Sequence, residues 1–383
     1  MTANIFITGG AGFIGARLAD RFARDGARVT VFDNFHPQVA SIHPANLQRL
    51  AQVGVQVVTG DVRDRDALSA AIDKAAPDLV YHLAAETGTG QSHDLPARYS
   101  DVNVTGTATL VEALRDATSK VGRVVLAGSR AVYGEGACVD AEGQPTLAAH
   151  RKSEDLAAGD FMLKDKAGHP LVPVATNAEC PVNPASIYAS TKLMQEYLLE
   201  QGFWGSGTEV AVLRLQNVYG PGQARDNPYT GVLSIFARQI AEEKTLDIYE
   251  DGEITRDFVF IDDVVSALHR VGTIETIPEG IIDIGSGKGV TILDVARRLL
   301  HVMGRDPDRL RISGKFRAGD IRHALADISR AKMELRWQPE HDLASGIDRL
   351  VAWEAEASDA SETSGAAIPA HANAALSGND TTQ

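Results

Sequence analysis

The feature that most restricts the folds open to this chain is its alternation of short apolar runs with helical patterns. Five apolar runs fall at residues 4–8, 28–32, 55–58, 79–83 and 124–127, and helical stretches such as 67–76 and 97–117 separate them. A continuous apolar run is typical of a strand covered on both faces, as in a parallel sheet. Strands alternating with helices predict βαβ units. We therefore expect an α/β protein with a doubly wound parallel sheet.

The alternation of strands and helices changes twice along the chain, and these changes predict its domain organisation. Residues 1–222 are expected to form the first domain, interrupted by a polar, proline-containing insertion, partly loop, at about 135–183. Shorter elements at 223–356 predict a smaller C-terminal α+β lobe, in which GSGKG (285–289) is a turn before a helix capped by Thr291. Residues 357–383 have hardly any large apolar side chain, so we expect a disordered tail.

Composition excludes several classes of function. The 383 residues are 44% hydrophobic, enough for a sizeable core, and the net charge of −14 disfavours binding to nucleic acid or to an anionic membrane. No apolar stretch approaches the roughly 18 residues of a spanning helix, and the first residues do not resemble a signal peptide. Two cysteines, Cys138 and Cys180, make neither a disulfide framework nor a four-cysteine metal site. A cytoplasmic protein without a metal is expected.

The first strand runs into a glycine-rich turn, TGGAGFIG at residues 8–15. Glycines at this point permit a tight turn and bring the backbone close to a pyrophosphate at the N-terminus of the next helix. An acidic residue at the end of the second strand favours the ribose hydroxyls of NAD over a 2′-phosphate. We therefore predict a Rossmann-type NAD site that includes Gly9, Gly12, Phe13, Ile14, Gly15, Asp33 and Asn34. The alternative is a purely structural turn.

Two later strand ends extend this predicted cofactor site. Asp61 and Val62 follow the third strand, where they would reach the adenine, although a plain strand-end turn is the alternative. Leu83, Ala84 and Ala85 end the fourth strand, and their small size would let the cofactor cross the strand ends. His82 beside them is interpreted as a packed strand residue.

A tyrosine, a lysine and a serine form the candidate catalytic group. Tyr188 and Lys192 in YASTK are four residues apart, so a helix presents them on one face. The lysine and a bound nicotinamide would lower the pKa of Tyr188 and make it a general base. Lys192 would also hold the nicotinamide ribose. Ser129 ends the fifth strand and would share the substrate proton. The alternative for Tyr188 and Lys192 is a non-catalytic pair on a helix surface.

These motifs together resemble the NAD-dependent epimerase/dehydratase family of extended short-chain dehydrogenases/reductases. TGGAGFIG, HLAA, AVYG, YASTK and RLQNVYGPG occur in the family's order, and the resemblance covers about residues 3–350. ETGTGQS (86–92), NPYTGVLSIF (227–236) and RAGDIRHALADISRA (317–331) are most similar to the branch of dTDP-L-rhamnose and UDP-glucose 4-epimerases.

The resemblance implies a nucleotide diphospho-sugar substrate and a homodimer packed through helices at about 97–117 and 186–200. It implies that Asn217, Arg256 and Arg317 bind the diphosphate, and that Asp320 contacts the nucleotide ribose or orients an arginine. Asn103 would brace a turn beside the cofactor, and Thr87 and Val232 would line the substrate site. A surface salt bridge is the alternative for Arg256 and, with more weight, for Arg322.

The implied reaction is 4-epimerisation through transient oxidation at sugar C4, with Tyr188 accepting the 4-hydroxyl proton. Family 4,6-dehydratases carry Asp-Glu directly after the strand-end hydroxyl residue, but this chain has Arg130 and Ala131 there, which disfavours water elimination. A 4-ketoreductase or dehydrogenase, a decarboxylase of a nucleotide-linked uronic acid, and a non-catalytic NAD(H)-binding regulator remain alternatives.

Overall fold

The computed structural model describes residues 2–224, 231–317 and 319–363. Its strands are β1 Asn4–Thr8, β2 Arg28–Asp33, β3 Gln56–Thr59, β4 Leu79–His82, β5 Arg123–Ser129, β6 Ala137–Val139, β7 Pro145–Leu147, β8 Val172–Pro173, β9 Glu209–Leu215, β10 Asn217–Tyr219, β11 Leu246–Ile248, β12 Thr255–Phe260, β13 Ile281–Ile284, β14 Gly289–Thr291 and β15 Leu310–Ile312. Its α-helices are α1 Gly15–Arg24, α2 His43–Gln52, α3 Arg65–Ala75, α4 Thr89–Asp94, α5 Pro96–Tyr99, α6 Gly106–Asp116, α7 Ser153–Ala157, α8 Ile187–Gly202, α9 Val232–Ala241, α10 Ile261–Thr273, α11 Ile292–Val302, α12 Ser329–Glu334 and α13 Leu343–Thr363.

A seven-stranded sheet in the order β13-β9-β5-β4-β1-β2-β3 forms the centre of the molecule. Every neighbouring pair in it is parallel. Both faces are covered: Ile5 and Ile7 of β1 enter one buried cluster, and Phe6 between them enters the other. This two-sided burial explains why the strands are apolar throughout rather than alternating. The predicted Rossmann-type α/β class is confirmed.

The second lobe is built around two small sheets. Strands β10, β12 and β14 form one, and β11 pairs with β15 in the other. Strand β13 lies beyond the boundary predicted at residue 222, yet it pairs with β9 and completes the central sheet. The chain therefore returns to the first domain within the segment assigned to the lobe. As predicted, the chain turns after β13, over 285–288, and the Thr291 hydroxyl accepts a hydrogen bond from Asp294 N, 3.0 Å away, at the start of α11. The short strand β14 between this turn and the helix was not predicted.

The insertion is more ordered than its sequence suggests. Strands β6, β7 and β8 form an antiparallel sheet, and α7 follows β7. A small separate core consists of Cys138, Ala148, Leu163 and Leu171. The insertion contains few large apolar residues, so its apolar runs are too short to predict strands from the sequence.

Two predicted helical regions differ from the observed ones. The stretch predicted at 97–117 is divided into α5, a π-helical turn over Ser100–Thr105 and α6. Helix α13 continues to Thr363, and the remainder of the predicted tail lies outside the described residues. Among the described helices, none is long and apolar enough to cross a membrane.

Candidate active site

A cavity of about 580 Å³ lies at the carboxyl ends of the central strands. Open α/β sheets bind ligands at this edge because neighbouring connections diverge there. Among the residues named from the sequence, those lining the cavity are Gly9, Gly12, Phe13, Ile14, Gly15, Asp33, Asn34, Val62, Leu83, Ala84, Ala85, Thr87, Ser129, Tyr188, Lys192, Asn217, Arg256 and Asp320. The fold therefore brings most of the predicted site together.

The glycine-rich turn has a shape that only glycine permits at two positions. Gly9 has φ +68°, and a Cβ there would lie 2.7 Å from Ala84 N. A Cβ on Gly15 would lie 2.4 Å from the carbonyl oxygen of Gly9. Such a turn presents bare backbone beside the N-terminus of α1, which suits a pyrophosphate. These residues fit a dinucleotide cofactor.

Asp33 shapes the loops at the edge of this turn. Its carboxylate accepts hydrogen bonds from Ala11 N and from Phe35 N, both at 2.9 Å. Asn46 of α2 supports the same turn by donating to the Ala11 carbonyl at 2.7 Å. Asn46 was missed from the sequence, because α2 has no strong start signal. Asp33 thus lies at the predicted ribose position, with its orientation fixed by backbone amides.

Asp61 lies beside the cavity rather than in its wall. Its carboxylate accepts from Arg63 at 2.8 Å and from Asn34 at 3.1 Å. The hydrogen bonds from Arg63 hold the pKa of Asp61 well below its usual range. Its neighbour Val62 does line the cavity. The adenine contact predicted for Asp61 stays a prediction.

Helix α8 presents the tyrosine and the lysine to the cavity. Ser186 caps the helix by accepting from Ala189 N at 3.2 Å. Tyr188 and Lys192 follow one turn apart, and Ser129 faces them from the end of β5. Lys192 is 4% exposed, and burial lowers its pKa to about 8.

The pKa of Tyr188 moves opposite to the sequence-based expectation. Burial raises it, and a hydrogen bond with Ser129 opposes that shift only partly. The Lys192 ammonium donates to the side-chain oxygen of Gln195. The expected lowering is therefore wrong for the protein groups alone, because desolvation outweighs them. A positive charge brought by the cofactor remains available to lower this pKa.

A buried polar network behind α8 holds Lys192 in place. Gln195 donates to Thr107 at 2.9 Å, and Thr107 contacts His82 at 2.8 Å. The other ring nitrogen of His82 contacts Thr8 on β1, also at 2.8 Å. Burial lowers the pKa of His82 to about 3, so this ring is neutral. His82 is a packed strand residue, as interpreted from the sequence, and Gln195 and Thr107 were missed.

Asn103 braces the turn after β4 without lining the cavity. Its side chain accepts from Glu86 N at 2.7 Å and donates to the Glu86 carbonyl at 3.1 Å. It also donates to Thr191 on α8 at 3.0 Å. The adjacent carbonyl of Thr87 accepts from Tyr99 at 2.7 Å. This bracing agrees with the position implied for Asn103 beside the cofactor.

The residues predicted to bind the substrate separate into two groups. Asn217, Arg256 and Asp320 line the cavity, and Arg256 donates to Asp320 at 2.7 Å. Arg317 is exposed, and its guanidinium lies 5.0 Å above the ring of Tyr249. Val232 packs half-buried against the main core. Neither is among the cavity-lining residues in the described ranges, so their predicted contacts gain no support from this geometry.

Several polar residues of the cavity wall were not predicted from the sequence, among them His36, Gln38, Arg130, Gln216 and Gln223. Arg130 and Gln216 directly follow the ends of β5 and β9, and that position was the available signal. Arg130 had been considered only as a departure from the dehydratase pattern. The glycine-rich turn, the group of Ser129, Tyr188 and Lys192, and the Arg256–Asp320 pair together fit a redox dinucleotide beside an anionic ligand.

Comparison with known proteins identifies the family. The model of the NAD dependent epimerase/dehydratase family matches residues 5–155 and 164–285. The chain is 41% identical over 360 residues to a dTDP-L-rhamnose 4-epimerase of Burkholderia thailandensis, covering 93% of this chain and 96% of that relative. It is 32% identical over 352 residues to a UDP-glucose 4-epimerase of Mycolicibacterium smegmatis, covering 90% and 96%. The chain belongs to the NAD-dependent epimerase/dehydratase family, as the sequence motifs indicated.

A solved structure agrees with this assignment. The UDP-glucuronic acid 4-epimerase of Bacillus cereus, in complex with UDP-glucuronic acid and NAD, has a TM-score of 0.76 and 26% identity. The match covers 92% of this chain and 99% of that one. The expected NAD cofactor is therefore confirmed at family level.

Proposed function

We propose that this chain, an NAD-dependent nucleotide-sugar 4-epimerase, acts on a dTDP-linked 6-deoxyhexose of the L-rhamnose type. The observation that carries the reaction class is the convergence of Ser129, Tyr188 and Lys192 on one cavity with the glycine-rich turn. The choice of sugar and base is supported by the 41% identity to the Burkholderia enzyme. The 4-epimerases at about 30% identity act on UDP-linked sugars, which makes UDP-glucose the first alternative.

The protein groups supply proton transfer and positioning. When bound, NAD would provide the reversible oxidation at sugar C4. Tyr188 would accept the 4-hydroxyl proton, with the Ser129 hydroxyl sharing that hydrogen bond. Lys192 would hold the nicotinamide ribose, steadied by Gln195. Asn217 and Arg256 would hold the diphosphate while the sugar presents either face, and Asp320 would fix the direction of Arg256.

The decisive experiment follows the sugar by NMR without added cofactor. Purified protein is incubated separately with dTDP-L-rhamnose, UDP-glucose and UDP-galactose while NADH absorbance is recorded. We expect a second dTDP-sugar to appear to equilibrium with no net change in NADH. Tyr188→Phe should retain fold and NAD but lose at least about 10²-fold in kcat. Conversion that requires added NAD(H) would move the function to a ketoreductase.

We also propose that two copies associate through α8 and the segment Ser100–Thr105. A groove between them is lined by Ala97, Asp101, Val104, Ile187 and Met194. Met194 and Tyr197, three residues apart on one face of α8, are 43% and 41% exposed, so a second copy could cover both of them. Sedimentation should give a dimer for the parent protein and a monomer for Met194→Asp. A parent protein that sediments as a monomer would exclude this assembly.

A further inference from the structure

A short piece of the second lobe, residues 319–322, contributes to the cavity wall and is here called the Asp320 segment. Residues 319–321 line the cavity, and the Asp320 carboxylate accepts from Arg256 at 2.7 Å. On the side of β12, Thr255 N donates to the Arg322 carbonyl at 3.0 Å. The direction of the Arg256 guanidinium therefore depends on where this segment lies.

Two side chains of the insertion hold the other side of the Asp320 segment. Arg151 Nη2 donates to the Asp320 carbonyl at 2.8 Å, and the Glu135 carboxylate accepts from Arg322 N at 2.6 Å. Arg151 Nε also donates to Glu135 at 3.0 Å, so the two side chains brace each other. Because they bind backbone atoms, they fix the path of the segment itself. Neither is among the cavity-lining residues in the described ranges.

These contacts are charged and buried. The side chains of Arg151 and Glu135 are 5% and 6% exposed, and Arg151 also donates to the buried Glu250 at 2.8 Å. Charge-assisted hydrogen bonds that are shielded from water hold their partners firmly. A second contact lies farther along the chain, where the Thr176 carbonyl of the insertion accepts from Asp327 N at 2.8 Å. The insertion thus anchors this stretch of the second lobe at two points.

We propose that Arg151 and Glu135 are positioning residues, through which the insertion sets the affinity of the cavity for the nucleotide. This inference rests on the proposed function, because that function places the diphosphate on Arg256. A guanidinium that is already aimed loses little freedom when a phosphate binds, so its hydrogen bonds contribute more to affinity. Without the insertion contacts, the ligand itself would have to order the Asp320 segment.

Calorimetry of the NAD-loaded protein with dTDP and with UDP measures this contribution without turnover. Arg151→Met should raise the dissociation constant of the nucleoside diphosphate about tenfold, because ordering the Asp320 segment then becomes part of binding. Arg256→Met should raise it about 10- to 100-fold, the loss of charge-assisted hydrogen bonds. Arg151→Met added to Arg256→Met should raise it by less than about a further twofold, because Arg151 acts through Arg256.

Arg322→Met is the matched control for stability. Its side chain belongs to the same ionic cluster, bonded to Glu250 and Asp251, but is not among the cavity-lining residues in the described ranges. Its backbone amide can still donate to Glu135 after the substitution. This variant should be less stable than the parent, with a dissociation constant within about twofold of the parental one. Arg311→Met, at an exposed position on β15, should change neither quantity.

Arg151→Lys keeps the proposal testable if Arg151→Met does not fold. A lysine retains a positive charge beside Glu135 and Glu250 but lacks the planar fork that also reaches the Asp320 carbonyl. Stability should largely return, while nucleotide affinity stays several-fold below that of the parent. Bound NAD and the melting temperature report whether each variant is intact.

Three results would overturn the proposal. They are a parental dissociation constant in both Arg151 variants, equal weakening by Arg322→Met, and an additive effect of Arg151→Met and Arg256→Met. A protein that loses nucleotide affinity through Arg151→Met but interconverts no sugar keeps this inference and loses the proposed function. A protein that epimerises its sugar nucleotide while both Arg151 variants bind as the parent does the reverse. A parent protein that binds neither nucleotide would overturn both.

Discussion

Two buried arginines in different regions of this molecule differ in how many of their side-chain donors have hydrogen-bond partners. Where the insertion meets the second lobe, Arg151 is 5% exposed at its side chain and donates to Glu135 at 3.0 Å, to Glu250 at 2.8 Å and to the Asp320 carbonyl at 2.8 Å. In the cavity wall, Arg130 has one protein partner. Every side-chain nitrogen of Arg151 donates a hydrogen bond within the protein, whereas two side-chain nitrogens of Arg130 have no partner among the described residues.

The two regions differ in how far the fold compensates a buried charge. Buried ions are tolerated when their partners satisfy them, so the Arg151 cluster joins the insertion to the lobe that carries Arg256 and Asp320. A buried donor without a partner lowers stability. The insertion thereby has a physical role, since Arg151 holds the backbone of Asp320 in the cavity wall.

The largest expected effect comes from breaking the saturated cluster. Arg151→Met leaves the buried carboxylates of Glu135 and Glu250 with fewer compensating charges and should lower the free energy of unfolding by about 3–5 kcal/mol. Urea denaturation of the parent and variant measures it, with Arg311→Met as the exposed control. A decrease in the free energy of unfolding below about 1 kcal/mol would contradict the inference that the Arg151 cluster stabilises the fold.

A buried acid on the central sheet extends the comparison to pH. Asp283 of β13 accepts from Tyr133 at 3.0 Å, and burial raises its pKa to about 7. Between about pH 4 and 7 the folded protein keeps a proton that the unfolded chain releases, so this stabilisation is complete below about pH 4 and is lost as the pH rises through 7. The loss should reach about 2–4 kcal/mol.

Asp283→Asn is the matched variant for that prediction. Because asparagine does not titrate, the stability of the variant relative to the parent should increase as the pH rises over this interval. Urea denaturation at several pH values between about 4.5 and 8 measures the difference. Parallel curves for the two proteins would show that Asp283 titrates normally.

Arg322 gives an intermediate case. Its guanidinium donates to Glu250 at 2.8 Å and to Asp251 at 2.6 Å, so the surface salt bridge considered from the sequence is in fact largely buried. Arg322→Met should cost about 2–3 kcal/mol, less than Arg151→Met, because Glu250 keeps Arg151 and Asp251 is 43% exposed at its side chain. Thermal melts of both variants rank them. The reverse order would show that Arg322 contributes more than Arg151 to the stability of the cluster.

The smallest expected effect on stability comes from Arg130. Arg130→Met removes a buried cation and its unpaired donors, and loses one hydrogen bond, so the free energy of unfolding should change by less than about 1 kcal/mol in either direction. The same urea series as for Arg151→Met measures it. A loss approaching that of Arg151→Met would show that Arg130 is structural.

Short sequence motifs were sufficient to locate the glycine-rich turn and the candidate catalytic group of Ser129, Tyr188 and Lys192. TGGAGFIG requires glycine for steric reasons, and the four-residue spacing of Tyr188 and Lys192 places them on one helix face. The pKa of Tyr188 could not be predicted, because it depends on burial and on where the Lys192 ammonium points. The contacts predicted for Arg317 and Val232 rested on the family resemblance alone. Their positions in the sequence do not indicate how far they lie from the cavity.

The α/β class, the family and the NAD cofactor could all be predicted from the amino-acid sequence, because they depend on periodicity and on short motifs. Three relations became visible only in the folded chain: β13 returns to the central sheet, the insertion holds the Asp320 segment through Arg151, and Arg130 and Gln216 line one cavity. Those relations join residues 69 or more positions apart. Pairing and burial between such distant groups are set by the packing of the whole chain, which no local pattern records.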